Sequence, residues 1–257
     1  MPRKSLKNIQ QMKAKNIGIS CLTAYDASFA SILDKLGIDI ILVGDSLGEV
    51  VKGDKSTHNV IQDEMIYHTK SVKKGIKNAY LISDMVIDTY KTKKEALHHA
   101  LQLINCGANM IKIESTLDHL SIIKFLVSKN IKVCGHIGIR PQYKKKNTPY
   151  KKVGITNESK ILIMNEALAI EKSGASLLIT ECIGSDLAKT ISQKLSIPVI
   201  GIGSGNNCDG QILVLYDLLG ISYNGVPKFI NNDIFKNSDI KTKIKKYINK
   251  TKNKHKF

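Results

Sequence analysis

The sequence predicts a single-domain (βα)8 barrel, and three observations predict it. Short β-rich apolar runs alternate with helix-like segments along the chain, which favours a parallel sheet. Eight such units fit within 257 residues, about the length a closed barrel needs. No linker or composition shift divides them, so one domain spanning 1–257 is expected, with a basic segment at 1–15 and a Lys/Asn-rich tail at 241–257 that is expected to lie peripheral beyond about Lys241.

The elements follow in order. Runs at 17–24, 38–44, 80–85, 110–113, 131–136, 176–180 and 198–203 read as strands, and a weaker eighth is placed near 218–222. Between them, 26–36, 62–77, 93–106, 117–129, 157–173 and 185–195 carry helical patterns. A cryptic repeat runs through this alternation. Gly37 to Asp45, Gly107 to Glu114 and Gly174 to Glu181 share one plan: a glycine that ends a helix, a strand apolar on both faces, and a carboxylate where the strand stops. The acid has no packing reason to stand there. In a barrel the strand ends converge on one rim, so these acids are expected to meet in space.

Composition excludes several classes. At 42% hydrophobic residues the chain has enough apolar surface to build a core. The most apolar stretch, 38–43, contains Asp39 and is far shorter than a membrane span, and the basic N-terminus has no apolar segment behind it. Five cysteines at 21, 106, 134, 182 and 208 are odd in number, and no two are three apart. They read as reduced thiols of a cytoplasmic chain, not as a disulfide frame or a zinc site. The net charge of +17 is concentrated at the ends, +5 in 1–15 and +8 in 228–257, and comes almost wholly from lysine. Only one arginine, Arg3, and a few scattered aromatics stand in these stretches, so no nucleic-acid partner is expected.

The polar residues at strand ends are the candidates for chemistry. They are Asp45 and Ser46, Asp84, Lys112 and Glu114, His136, and Glu181. Lys112 and Glu114, two apart, point to the same side of their strand. Asp45, Asp84 and Glu114 form a hard-oxygen set of the kind that holds Mg²⁺ with several waters retained. A lysine in an apolar strand is costly to bury; it either pairs with Glu114 or meets an anionic ligand. The turn Gly201-Ile-Gly203-Ser-Gly205 allows close approach of a ligand or simply a tight bend. His98, His99 and His68 read as packing or surface, whereas His58 lies in a loop that could border a site.

At these residues the chain resembles a known family. The blocks TAYDASFA, VGDSLGEVVKGDKST, the Asp84 strand, GANMIKIE, VCGHIGIRPQ, ITEC and IPVIGIGSGNNCDGQILVLYDLLGI look like those of ketopantoate hydroxymethyltransferases, in the same order over roughly residues 16 to 230. The resemblance implies a barrel of the phosphoenolpyruvate/pyruvate superfamily type and a homodecamer of two pentameric rings. It implies transfer of a one-carbon unit from 5,10-methylenetetrahydrofolate to 3-methyl-2-oxobutanoate through a Mg²⁺-stabilised enolate, on the way to pantothenate and coenzyme A. By position, Asp45 and Asp84 match the Mg²⁺ ligands, and Glu114 matches an acid that supports the ion through its water shell. Ser46 and Lys112 match keto-acid contacts, His136 a pocket histidine, and Glu181 the general base. The chain departs from the family at KKKNTPYKKVGITNE, where lysines precede Pro149 in place of the usual glycines. The nearest alternative is a Mg²⁺-dependent enzyme of the isocitrate lyase and phosphoenolpyruvate mutase group, whose usual KKCG-type loop cysteine is missing here. A non-catalytic basic protein is the alternative from another class.

Overall fold

Eight strands, paired in parallel and in chain order, close on themselves in the computed structural model, which describes residues 3–143, 151–227, 230 and 238–253. They are β1 (Ile19–Thr23), β2 (Ile40–Val43), β3 (Tyr80–Asp84), β4 (Met110–Glu114), β5 (Val133–Gly138), β6 (Leu177–Glu181), β7 (Val199–Ile202) and β8 (Gly210–Leu213). The helices are α1 (Leu6–Ala14), α2 (Ala27–Lys35), α3 (Leu47–Val50), α4 (Gln62–Gly75), α5 (Lys93–Asn105), α6 (Leu120–Ser128), α7 (Asn157–Lys172), α8 (Ser185–Lys194), α9 (Leu215–Leu219) and α10 (Ile240–Lys252). The three glycines of the repeat take left-handed conformations, with φ of 85° at Gly37, 106° at Gly107 and 95° at Gly174, as a helix stop requires. Among the described residues, no helix is long and apolar enough to cross a membrane.

Two apolar layers hold the barrel. Side chains pointing inward, among them Ile19, Cys21, Ile40, Ile82, Met110, Leu177 and Ile200, fill the interior. Outward side chains such as Leu22, Ile41, Leu81, Ile111, Val133 and Leu178 pack under the helices. This two-sided burial is why the strands read as continuous apolar runs. The basic N-terminal segment closes one end: Ile9 and Met12 of α1 join the interior cluster, which stops the strands' amino-terminal end against solvent. Four of the five cysteines are buried, and none of the five is in a disulfide.

The eighth strand is not at 218–222 but at β8, residues 210–213. Its register against β1, from Ile19↔Gly210 to Leu22↔Leu213, closes the sheet. The expected position assumed a helix-length spacer after β7, but only residues 203–209 separate the two strands. Leu218 and Leu219 instead end α9, which stops at Gly220 with φ of 76°.

A second correction concerns the tail, expected to lie peripheral beyond about residue 241. Residues 240–252 form α10, capped by Asp239, and bury Ile244, Tyr247, Ile248 and Thr251. These recur at helical spacing, so the helix hides an apolar stripe while Lys241, Lys245 and Lys246 are exposed. The Tyr247 hydroxyl lies 2.9 Å from the Cys21 carbonyl and 2.8 Å from that of Gln211, pinning α10 where β1 meets β8. Approach there is close: a Cβ on Gly18 would stand 1.8 Å from the Thr251 carbonyl oxygen, so no other residue fits.

Candidate active site at the carboxyl ends of the strands

Five neighbouring strands deliver the candidate residues to one rim. Asp84 ends β3 beside Lys112 of β4, Glu114 stands beside His136 of β5, and Gly138 stands beside Glu181 of β6. Asp45 and Ser46 follow β2 directly. All seven predicted residues, Asp45, Ser46, Asp84, Lys112, Glu114, His136 and Glu181, line one cavity of about 350 Å³. Leu42, Val50, Ile179, Ile202, Ile212 and Val214 supply apolar wall. Leu177, Ile179 and Glu181 share a face of β6, so the Glu181 carboxylate rises from that wall.

Asp45, Asp84, Lys112, Glu114 and His136 are buried. The Lys112 ammonium lies 3.0 Å from Asp84 Oδ2, so its ion-pair partner is Asp84 and not Glu114. The Asp45 backbone N–H donates to the same oxygen at 3.1 Å. Burial, resisted by Lys112 and reinforced by Asp45, pushes the Asp84 carboxyl up to about 7. Burial, reinforced by Asp45, raises Glu114 well above the usual carboxylate range. Burial works against the charge of Lys112, but Asp84, Asp45 and Glu114 outweigh it and hold the ammonium protonated. His136 Nε2 is 3.2 Å from Glu181 Oε2, and neither ring nitrogen makes a hydrogen bond. Burial, with Lys112 and Arg140 nearby, drives His136 well below its ordinary pKa, so the ring is neutral.

A divalent cation fits this chemistry. Asp84 Oδ1 and Glu114 Oε1 are buried with no hydrogen-bond partner. Asp45, Asp84, Glu114 and Glu181 share the cavity with one ammonium, Lys112, so the inner site carries excess negative charge. Among the described residues, no three His, Cys, Asp or Glu side chains converge as a ready-made metal cage. Mg²⁺ takes one or two carboxylates and keeps several waters, so it does not require such a cage.

Sequence reasoning missed part of the site. The Gln142 amide nitrogen donates to Asp45 Oδ2 at 2.7 Å, and its backbone N–H donates to Glu114 Oε2 at 3.0 Å. Tyr90 O–H donates to Gln142 Oε1 at 2.5 Å, and the Tyr25 and Ser46 hydroxyls are 2.8 Å apart. Gln142 closes the VCGHIGIRPQ block and was legible there only as a loop residue; Tyr90 carried no signal. His58 Nε2 is 3.2 Å from the carbonyl of Pro141, a cavity-wall residue, so His58 braces the wall from behind. His68 bonds the Tyr25 carbonyl at 2.6 Å, a packing role. In the glycine turn, a Cβ on Gly201 would press on Cys208 Sγ at 2.9 Å, which accounts for that glycine by tight packing. The lysine-rich departure falls largely on 144–150, outside the described residues.

Comparison with known proteins extends the geometry. The sequence profile of the ketopantoate hydroxymethyltransferase family matches residues 3–257. A 3-methyl-2-oxobutanoate hydroxymethyltransferase of Ruthia magnifica subsp. Calyptogena magnifica is 48% identical over 250 residues, covering 97% of this chain and 95% of that protein. Among solved structures, a phosphonopyruvate hydrolase in complex with oxalate and Mg²⁺ superposes with a TM-score of 0.63 at 10% identity, over 82% of this chain and 80% of that one. A 2,3-dimethylmalate lyase, a PEP mutase/isocitrate lyase superfamily member, does so with 0.58 at 12% identity, over 81% and 80%. These structures share the fold, while the sequence likeness is to the hydroxymethyltransferases. The chain belongs to the ketopantoate hydroxymethyltransferase family of one-carbon transferases.

Proposed function

We propose that the chain transfers a hydroxymethyl group from 5,10-methylenetetrahydrofolate to 3-methyl-2-oxobutanoate, with water completing the balance, to give 2-dehydropantoate and tetrahydrofolate. The observation that carries this reading is the strand-end cavity itself, where three clustered acids, Asp45, Asp84 and Glu114, one ammonium and a separate carboxylate on an apolar wall share a single space. In this reading Asp45 and Asp84 would hold Mg²⁺, and Glu114, with its unpartnered Oε1, would support it. Bound there, Mg²⁺ supplies Lewis acidity toward the keto acid's oxygens.

The chain's own residues do the rest. Lys112 offers positive charge to the substrate carboxylate, and Ser46, oriented by Tyr25, offers a hydroxyl. Water releases the folate methylene carbon from its two nitrogens as formaldehyde. Glu181 takes the proton from C3, C3 adds to the formaldehyde carbonyl carbon, and the carbonyl oxygen takes up a proton to become the new hydroxyl. His136 is a poor rival for the proton, because a neutral ring held far below its ordinary pKa is a weak base. The apolar wall limits water around Glu181 and shapes the space for the substrate's isopropyl group.

The same family membership supports a homodecameric assembly and a cytoplasmic location, the former testable by light scattering after size exclusion. The decisive assay is 2-dehydropantoate formation from the two substrates with and without Mg²⁺. Turnover that requires both substrates and the metal is expected. No turnover at any Mg²⁺ concentration, from folded protein, would overturn the reading.

A further inference from the structure

Gln142 spends every polar group of its side chain on the site. Its amide nitrogen donates to Asp45 Oδ2 at 2.7 Å and to the Met85 carbonyl at 2.9 Å. Its amide oxygen accepts from Tyr90 O–H at 2.5 Å, while its backbone N–H donates to Glu114 Oε2 at 3.0 Å. The amide can sit only one way round. Turned over, its oxygen would face a carboxylate and a carbonyl, and its NH₂ would meet the Tyr90 hydroxyl. The side chain is 2% exposed, so unmade bonds could not be replaced by bulk water.

This one residue, from the segment after β5, therefore ties together acids delivered by β2 and β4. It also occupies one oxygen of each. On Glu114 the oxygen left over, Oε1, has no hydrogen-bond partner. Tyr90 is in turn 3.4 Å from the Tyr143 hydroxyl, which is 3.2 Å from His119 Nε2, so the network reaches the loops after β3 and β4. We propose that Gln142 is a positioning residue that sets the geometry of Asp45 and Glu114 for the divalent cation, with Tyr90 fixing the orientation of its amide. This rests on the reading of Asp45, Asp84 and Glu114 as the cation site.

The test is calorimetric titration of Mg²⁺ into chelator-treated, full-length wild type, Gln142→Leu and Tyr90→Phe, alongside the Mg²⁺ dependence of turnover. Loss of a partner that orients a metal's ligands costs about tenfold to a hundredfold in affinity, and Gln142→Leu is expected in that range. Tyr90→Phe keeps both amide donors and is expected to lose less. In both variants raised Mg²⁺ restores turnover, and KM for the keto acid at saturating Mg²⁺ stays unchanged, a split that a packing defect alone would not produce. Wild-type Mg²⁺ affinity in folded Gln142→Leu overturns the proposal. Should that variant not fold, wild-type affinity in Tyr90→Phe overturns it instead. If wild type itself binds no Mg²⁺, the cation-site reading is what fails, and the role of Gln142 falls with it.

Discussion

At the amino-terminal end of the barrel, Asp39 and Asp209 are as deeply buried as the acids of the mouth, yet each is met by lysine. Asp39, fully buried, pairs with Lys4 at 2.9 Å and accepts from the backbone and side chain of Ser20 at 3.0 and 2.7 Å. Lys252 of α10 reaches the same carboxylate at 3.8 Å. Asp209 pairs with Lys13 of α1 at 2.8 Å and accepts from Val199 N at 2.9 Å. At the mouth, by contrast, Asp45, Asp84, Glu114 and Glu181 share a cavity lined by one lysine, Lys112, which pairs with Asp84, and Glu114 Oε1 meets no hydrogen-bond donor. A buried acid with its cation in place fastens elements together. A buried cluster short of cations holds free energy that a ligand can relieve. The two ends show which acids serve the fold and which serve the chemistry.

Four substitutions break or sharpen that contrast, from the largest effect to the smallest. In heavy water with Mg²⁺ but no folate, wild type should exchange the C3 hydrogen of 3-methyl-2-oxobutanoate. Glu181→Gln should slow this by about a hundredfold to ten-thousandfold, the range for a lost general base, while His136→Asn keeps most of it. Exchange at the wild-type rate in the glutamine variant would show that the base is elsewhere.

Glu114→Gln should cut Mg²⁺-dependent turnover sharply yet cost no more than about 1 kcal/mol of stability, because it copies the neutral form of an acid that burial already disfavours and strips no lysine of its ion pair. Near-wild-type turnover at low Mg²⁺ would show the metal site to be misplaced. Asp39→Asn should do the reverse. It leaves turnover intact but costs about 2 kcal/mol in denaturant unfolding, since Lys4 and Ser20 lose a charged acceptor. Equal stability losses in Glu114→Gln and Asp39→Asn would erase the distinction between the ends.

The smallest effect is on pH dependence. His136 has a folded pKa below its unfolded value, so as pH falls the unfolded chain takes up the proton first. Its contribution to stability is therefore present above about pH 6.5 and fades as pH drops below that value. His136→Asn should flatten this acid-side slope in Tm measured between pH 7.5 and 5. An unchanged slope would show that the ring is not held neutral.

Much of this was legible in advance, for identifiable reasons. The glycine–strand–acid repeat exposed Asp45, Glu114 and Glu181, because an acid at the end of an apolar run has no packing explanation. Asp84, Lys112 and His136 followed from the same strand-end logic. Gln142 and Tyr90 escaped because their roles depend on contacts across 97 and 52 residues of chain, which no local pattern records. The tail was misread by weighing its lysines and overlooking the spacing of Ile244, Tyr247 and Ile248. The eighth strand was misplaced because β8 is only four residues long, begins with glycine and carries too little apolar signal beside Leu218 and Leu219.

The sequence by itself determined the alternation of strands and helices, and with it a parallel barrel whose strand-end acids share one rim. Periodicity and strand burial are local properties, and parallel closure leaves few arrangements that satisfy them. Only the tertiary structure decided which acid Lys112 pairs with, which buried oxygens lack partners, and that a glutamine from the β5 loop binds two of the carboxylates. Those outcomes turn on ångström-scale approach between segments far apart in the chain, where burial strengthens every interaction that is made and penalises every one that is not.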